Sequence, residues 1–214
     1  MGIDRLFDEA QRARVTQAVQ RAEAHSRGQL VPVVVGRSDP YPEARFRGAL
    51  LGAALATGAA LLAAPRAIPT TELLLVELAG GLLGAWGALW APLERLLIGR
   101  QAMAQAVRSR ALRAFHEQGL HRTVEGTGVL VFASLLERQA VVLGDHGIHA
   151  RMGDEGWGEA VGALVAGMRR GQPTEGFVDA IARCGERLQA HFPPGAGATA
   201  KPNELPDALR VSPS

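Results

Sequence analysis

Two apolar runs near the middle of the chain restrict its fold more than any other feature. Residues Gly48–Ala64 contain no charged side chain and are bracketed by Arg47 and Arg66, while Leu73–Leu93 carries only Glu77. At about 1.5 Å of rise per residue, the first run is near the lower limit for crossing a bilayer and the second is long enough. We therefore expect a two-helix transmembrane hairpin over 46–93. Two helices buried in a soluble core are the alternative.

The arginines that flank these runs indicate an orientation. Arg45 and Arg47 precede the first run, and Arg66 alone lies in the connection. The second run is followed by Arg95, Arg100, Arg108 and Arg110. Basic residues near membrane helices concentrate on the cytoplasmic side. The sequence thus predicts a protein of the bacterial inner (plasma) membrane whose soluble parts and both termini are cytoplasmic.

Two further features of the hairpin bear on function. Small residues recur four apart at Gly48/Gly52 and at Gly80/Gly84, a spacing that favours close helix packing, either within the hairpin or between copies. Glu77 is an ionisable residue within an apolar run, where such residues often serve proton or ion relays. Its proximity to Glu72 favours the alternative that Glu77 reaches the outer headgroup region.

The remaining sequence is typical of one α/β domain that the hairpin interrupts. A helix over Asp4–Arg27 precedes a β-branched strand that begins at Gln29 and contains Pro32, which suits a sheet edge because proline cannot donate a hydrogen bond. After the hairpin we expect a helix, two strands and two more helices, as follows: Glu94–Gln118, Gly128–Ser134, Gln139–Gly144, a helix from Trp157 to near Gly171, and Thr174–His191. The domain would comprise 1–45 and 94–192, followed by a disordered tail over 193–214.

Composition excludes several classes of protein. The formal charge is +2, and many arginines flank apolar segments rather than forming a basic face, so nucleic-acid binding is not indicated. Cys184 is the only cysteine, which rules out an intrachain disulfide and favours a buried structural thiol. The charged start of the chain predicts no cleavable signal peptide.

Several segments together resemble the TPM domain family, specifically its branch with a membrane hairpin. The segments that carry the resemblance are Gly28–Val35, Arg37–Arg45, Gly119–Thr123, Thr127–Leu135, Val142–Ile148, His191–Pro194 and Asn203–Pro206. The resemblance implies a three-layer α/β/α sandwich on a small mixed sheet. Some TPM domains are described as acid phosphatases or divalent-cation binders, and others are linked to repair or assembly of membrane complexes.

One acidic cluster is a candidate metal site. Asp145, Asp154 and Glu155 lie on the connection between the last strand of the pair and the Trp157 helix, and oxygen ligands of this kind suit Ca²⁺ or Mg²⁺. Asp154 is better explained as a cap of the following helix. Asp39 and Glu43 could add to a cation site only if the fold brings them together.

The histidines offer weaker candidates. His146 and His149 could ligate a metal if both rings turned inward. The five-residue spacing of His116 and His121 across Gly119 does not give one helical face, so we expect these two to be structural or exposed.

Three functional hypotheses remain from the sequence. The first is a membrane-tethered TPM module that binds a protein partner, in assembly or quality control of membrane proteins. The second is a divalent-metal-dependent phosphatase that uses the Asp145–Glu155 connection. The third is an oligomeric membrane component that uses Glu77. Patterns typical of hydrolase triads, NTPases and dehydrogenases are absent from the sequence.

Overall fold

The computed structural model describes residues 6–63, 68–123, 125–152, 155–193 and 205–212. The chain divides into two compact units. The first unit combines residues 1–39 with 104–214, and the second comprises residues 40–103. The second unit, continuous in sequence, thus interrupts the first.

A four-stranded mixed sheet forms the centre of the first unit, which confirms the α/β class. The strands are β1 Gln29–Val35, β2 Gly128–Ser134, β3 Gln139–Gly144 and β4 Arg210–Ser212, in the order β3-β2-β1-β4. β1 is parallel to both β2 and β4, whereas β2 and β3 are antiparallel and joined by a tight turn.

Proline 32 lies in β1 at a position that needs no donor. The Gln29 N–H donates to Thr127 in the loop before β2, and the Gly36 N–H donates to Ser212 of β4, so alternate residues of β1 face opposite neighbours. Pro32 therefore faces the β4 side, where the pairing with β4 begins only at Val33. On the same side the Leu30 N–H donates to a Glu23 carboxylate oxygen at 2.7 Å. Pro32 therefore lies where β1 has no strand partner on this side, but β1 itself is an interior strand between β2 and β4 and not the expected edge strand.

Helices cover both faces of the sheet. One buried cluster joins Leu30 and Val34 of β1 to α1 (Glu9–Ala24), α7 (Gly158–Arg169) and α8 (Pro173–His191). The other joins Val31 and Val33 to the helix that precedes β2, α5 (Arg100–Glu117). The alternation follows from the two-residue period of a strand, and it explains why β1 and β2 are buried along their whole length.

Local signals set several helix boundaries. α1 begins after Asp8, which forms a capping box with Gln11, and so starts later than the expected Asp4. Residues 6–8 are not helical, and residues 4 and 5 lie outside the described residues. The predicted helix Thr174–His191 is confirmed as α8. The connection after β3 contains a short helix, α6 (His146–Met152), and a 3-10 turn at Glu155–Trp157, neither of which the sequence predicts.

The end of the chain differs from the expected disordered tail over 193–214. Residues 205–212 are ordered: Leu209 is buried in the core, and β4 pairs with Val33–Val35 of β1. The unpaired edge of β1 offers backbone donors and acceptors, and alternating Leu209 and Val211 give this segment a strand pattern. Residues 194–204 and 213–214 lie outside the described residues.

Two long helices form a hairpin in the second unit. α2 spans Pro42–Ala63 and α3 spans Thr70–Gly87. The glycines meet in pairs: a Cβ on Gly48 would lie 2.6 Å from the Gly84 carbonyl oxygen, and one on Gly80 would lie 2.6 Å from that of Gly52. The glycines spaced four residues apart therefore allow close packing of α2 against α3 within the hairpin. Packing within the hairpin and packing between copies were the two predicted alternatives.

The second apolar run does not form one straight span. α3 ends at Gly87, and a separate helix α4 (Ala91–Ile98) continues at about 100° to it. Pro92 in the first turn of α4 and Gly87 at the end of α3 explain the break, because proline favours a helix start and glycine a helix end. Among the described helices, α2 alone is long and apolar enough to cross a bilayer, or two spans exist if the bent α3–α4 pair is one.

The helix expected over Glu94–Gln118 is also broken. Gly99, with a φ of +83°, separates α4 from α5. The Arg47 guanidinium donates to the carbonyl oxygens of Leu97 at 2.5 Å and Ile98 at 3.4 Å, so it satisfies the last turn of α4. The predicted helix is therefore wrong at this point, because an apolar period does not reveal a glycine in the left-handed region.

Candidate functional site: buried oxygen atoms at the two ends of the sheet

Asp145 occupies the end of β3 and is buried there. Its N–H donates to the Gly128 carbonyl oxygen at 2.8 Å, and only 8% of the residue is exposed. One carboxylate oxygen, Oδ1, accepts the His146 N–H at 2.7 Å and lies 3.1 Å from His146 Nδ1. The other, Oδ2, is buried and has no hydrogen-bond partner within the described residues. A buried carboxylate oxygen without a donor is costly, so this atom could hold a cation.

Gln29 shares this end of the sheet with Asp145. In the strand register Gln29 faces Gly128, whose carbonyl oxygen accepts the Asp145 N–H, so Gln29 and Asp145 lie at the same level of the sheet on either side of β2. Gly128 leaves space for the Leu120 carbonyl oxygen, which would lie 2.7 Å from a Cβ at that position. The Gln29 Oε1 atom is likewise buried without a partner within the described residues. Sequence reasoning missed Gln29, since a glutamine at the start of a strand carries no metal signal.

The structure does not place the other predicted metal ligands beside Asp145. His146 and His149 are both exposed, so their rings do not turn inward together. Asp154 lies outside the described residues, which also leaves its capping role a prediction, and the structure describes Glu155 only through its backbone at the start of the 3-10 turn. Within the described part of the chain, no three His, Cys, Asp or Glu side chains come together as a metal set.

Asp39 lies at the opposite end of the sheet from Asp145. It follows the carboxyl end of β1, whereas Asp145 is level with Gln29 at the amino end. A seven-residue strand separates these levels by roughly 20 Å at about 3.3 Å per residue. The fold therefore does not bring Asp39 together with Asp145.

A second buried carboxylate, Glu137, lies at this carboxyl end of β1 and β2. Glu137 is 4% exposed in the β2–β3 turn; its Oε1 accepts the Ser38 N–H at 2.9 Å, and its Oε2 accepts a short hydrogen bond from the Ser134 hydroxyl. The Ser38 hydroxyl is buried there without a partner within the described residues. The carboxylate fixes the segment that directly precedes residue 40, where the second unit begins. Nothing in the sequence distinguished Glu137 from an ordinary turn residue.

Cys184 and Glu77 take positions that bear on the remaining hypotheses. Cys184 is fully buried in α8, and burial raises the pKa of its thiol to about 12. The thiol is therefore not available as a nucleophile at neutral pH. Glu77 is exposed on α3, about one turn before Gly80.

Comparison with known proteins supports the fold alone. No family model and no curated protein matches the chain. Among solved structures, the chain is similar to the NMR structure of the BA42 protein from the psychrophilic bacterium Bizionia argentinensis, with 17% sequence identity and a TM-score of 0.57. The similarity covers 98% of this chain and 97% of that one.

Proposed function

We propose that this chain is a membrane-tethered TPM-type α/β module of the bacterial inner membrane, held by its helical hairpin with the soluble unit in the cytoplasm. One observation carries the tether. Of sixteen exposed large apolar residues among those described, fifteen lie between Phe46 and Leu96, and the remaining one is Leu112. Exposed apolar surface concentrated in this way is unfavourable in water and favourable against lipid chains.

The bend after α3 fits an interfacial position for α4. Trp90, which directly precedes this short helix, and Leu96 within it are 69% and 78% exposed, while Glu94 and Ile98 are buried. A helix with one apolar exposed face lies flat where lipid headgroups meet acyl chains, and tryptophan favours the same level. In this arrangement α2 and α3 enter the bilayer and α4 marks its cytoplasmic surface.

Partner binding is the role we propose for the soluble unit. Its described surface exposes one large apolar side chain, Leu112, so a partner would be recognised through polar contacts. An open groove between α1 and α8 has Arg21, His25 and Glu186 at its rim and Ala18, Ala22 and Val178 within it. Such a module would hold a client protein beside the membrane, in assembly or quality control.

The tether is tested by extraction of membranes with alkaline carbonate. We expect the wild-type chain to stay in the membrane pellet and to be released by detergent. Leu55→Arg combined with Leu78→Arg places charges on the exposed hairpin surface and lowers the pelleted fraction, because each charge costs about 2–3 kcal/mol in the bilayer. Leu112→Arg is the matched control and leaves the fraction unchanged. Recovery of the wild-type chain in the soluble fraction contradicts the proposal.

The groove is tested by photo-crosslinking in cells. A benzophenone side chain in place of Glu186 should give a discrete adduct, whereas one in place of Arg113, an exposed residue of α5, should not. Equal adducts from both positions would indicate non-specific contact rather than a partner site.

A divalent-metal-dependent phosphatase is the second candidate, favoured by the buried, unpartnered oxygen of Asp145. Asp154 and Glu155 would complete an oxygen site for Ca²⁺ or Mg²⁺, which would neutralise a phosphate monoester. Calorimetric titration of both ions into the detergent-solubilised chain should show binding that Asp145→Asn and Asp154→Ala abolish. Hydrolysis of a phosphomonoester with the same dependence would establish the enzyme. Absence of binding to the folded wild type removes this candidate and leaves the tethered module.

A further inference from the structure

Two imidazole rings meet at the end of α5, although their spacing in the sequence gave no sign of it. His116 lies in the last turn of α5 and His121 in a 3-10 helix, Leu120–Arg122. Gly119 joins them with a φ of +73°, which reverses the chain and brings the ring centres to 5.1 Å. Both residues are exposed, so the pair is open to solvent.

The geometry of the two rings suits a shared metal ion. An imidazole nitrogen binds Zn²⁺ at about 2.0–2.1 Å, and tetrahedral coordination by two rings places their centres about 5 Å apart. The observed separation is 5.1 Å, with the ring planes tilted by 58° rather than parallel as in a stacked pair. Phe115 contacts the His116 ring edge-on at 5.9 Å between centroids and restricts its orientation.

We propose that His116 and His121 form a two-histidine site for a divalent first-row transition ion, with water in the remaining positions. The nearby carboxylates are engaged elsewhere, Glu117 with Arg110 at 3.1 Å and Glu125 with Arg27 at 3.4 Å. Within the described residues no third His, Cys, Asp or Glu completes a metal set. Imidazole ligands favour Zn²⁺, Ni²⁺ or Cu²⁺ over Ca²⁺ and Mg²⁺.

A bound ion would join the end of α5 to the loop that precedes β2. Because the ion binds the folded chain and not the separated histidines, it raises the melting temperature of the first unit. The site is separate from the oxygen atoms at Asp145 and does not depend on the membrane tether. Its failure would therefore leave the proposed function untouched.

The test is calorimetric titration of Zn²⁺ into the full chain in detergent, after removal of any histidine tag. We expect one equivalent to bind with micromolar affinity, and His116→Ala or His121→Ala to weaken binding at least tenfold. His191→Ala, which removes an exposed histidine elsewhere, is the control and leaves the affinity unchanged. Far-UV circular dichroism confirms that each variant is folded.

Electron paramagnetic resonance of bound Cu²⁺ gives a second readout. The wild type should show two nitrogen ligands, and each single variant should show at most one. Unchanged Zn²⁺ affinity in both variants, no binding to the folded wild type, or loss of binding in His146→Ala instead would each overturn the proposal.

Discussion

The cysteine at position 184 shows how burial controls the chemistry of one side chain. Its thiol has a pKa raised to about 12 because the folded chain removes it from water. In the unfolded chain the thiol ionises near its usual pKa of about 8.5. The folded state therefore retains a proton that the unfolded state loses as the pH rises above this value.

Two outcomes should follow for Cys184. A thiol reagent such as DTNB should not react with the native chain at pH 8 and should react with one equivalent in denaturant. The contribution of this thiol to the free energy of unfolding is full below about pH 8 and falls between the unfolded pKa and about pH 12. Cys184→Ala should flatten that part of the stability profile. Rapid labelling of the native chain would contradict the assignment.

Glu137 is the residue for which the structure adds most to the sequence. Glu137→Ala leaves the buried Ser38 N–H and Ser134 hydroxyl without an acceptor, which should cost about 1–3 kcal/mol and lower the melting temperature. Glu137→Gln retains one acceptor and should lose less. Glu159→Ala, at an exposed ion pair of α7, is the control with little effect. Equal melting temperatures for Glu137→Ala and the control would rule out this role.

At the scale of elements, the glycine pairs decide how closely α2 and α3 approach. Gly48→Ala places a methyl group 2.6 Å from the Gly84 carbonyl oxygen and should cost about 1–3 kcal/mol by overpacking. Gly58→Ala is the matched control, since nothing lies within 4 Å of a Cβ there. It should be neutral or more stable by up to about 1 kcal/mol through helix propensity. Thermal unfolding in detergent, followed by circular dichroism, distinguishes the two variants.

The short strand β4 closes the free edge of β1 through few residues. Leu209→Ser removes the buried anchor that precedes it, and we expect a loss of about 2 kcal/mol with faster hydrogen exchange at Gly36, whose N–H donates to Ser212. Ala208→Ser, at an exposed position, should change neither quantity. Unaltered exchange at Gly36 in the Leu209 variant would show that β4 pairs without its anchor.

For the whole molecule, the decisive prediction concerns the side of the membrane. Thr71 lies exposed in the first turn of α3, near the connection that the arginine pattern assigns to the outside. A membrane-impermeant maleimide should label Thr71→Cys in intact cells, and Glu186→Cys only after permeabilisation. The buried native thiol of Cys184 does not react with the maleimide, so it gives no background labelling. Labelling of Glu186→Cys in intact cells would reverse the proposed orientation.

The strands β1 to β3, the α8 helix and the helical, apolar character of α2 and α3 followed from the sequence because their signals are local. Burial on both faces gives β1 and β2 continuous apolar runs, and α8 repeats Phe177, Ile181, Cys184 and Leu188 on one face. Pro32 correctly indicated a position without a strand partner on the β4 side, since proline has no N–H to donate. The expected sheet edge was wrong, because β4 pairs with the following residues of β1. The residue type of Asp145 was enough to make it a candidate ligand. Its burial could not be predicted from the sequence.

Tertiary structure alone decided the rest, because those features depend on residues that are distant in sequence or on one backbone angle. Gln29 joins Asp145 only through strand register, Glu137 reaches Ser38 across 99 positions, and β4 returns to β1 from the far end of the chain. The left-handed Gly99 and Gly119 break one helix and bring two histidines together. A hydrophobic pattern in the sequence indicates which residues are buried. It does not indicate which polar groups contact one another, because those contacts form only in the folded chain.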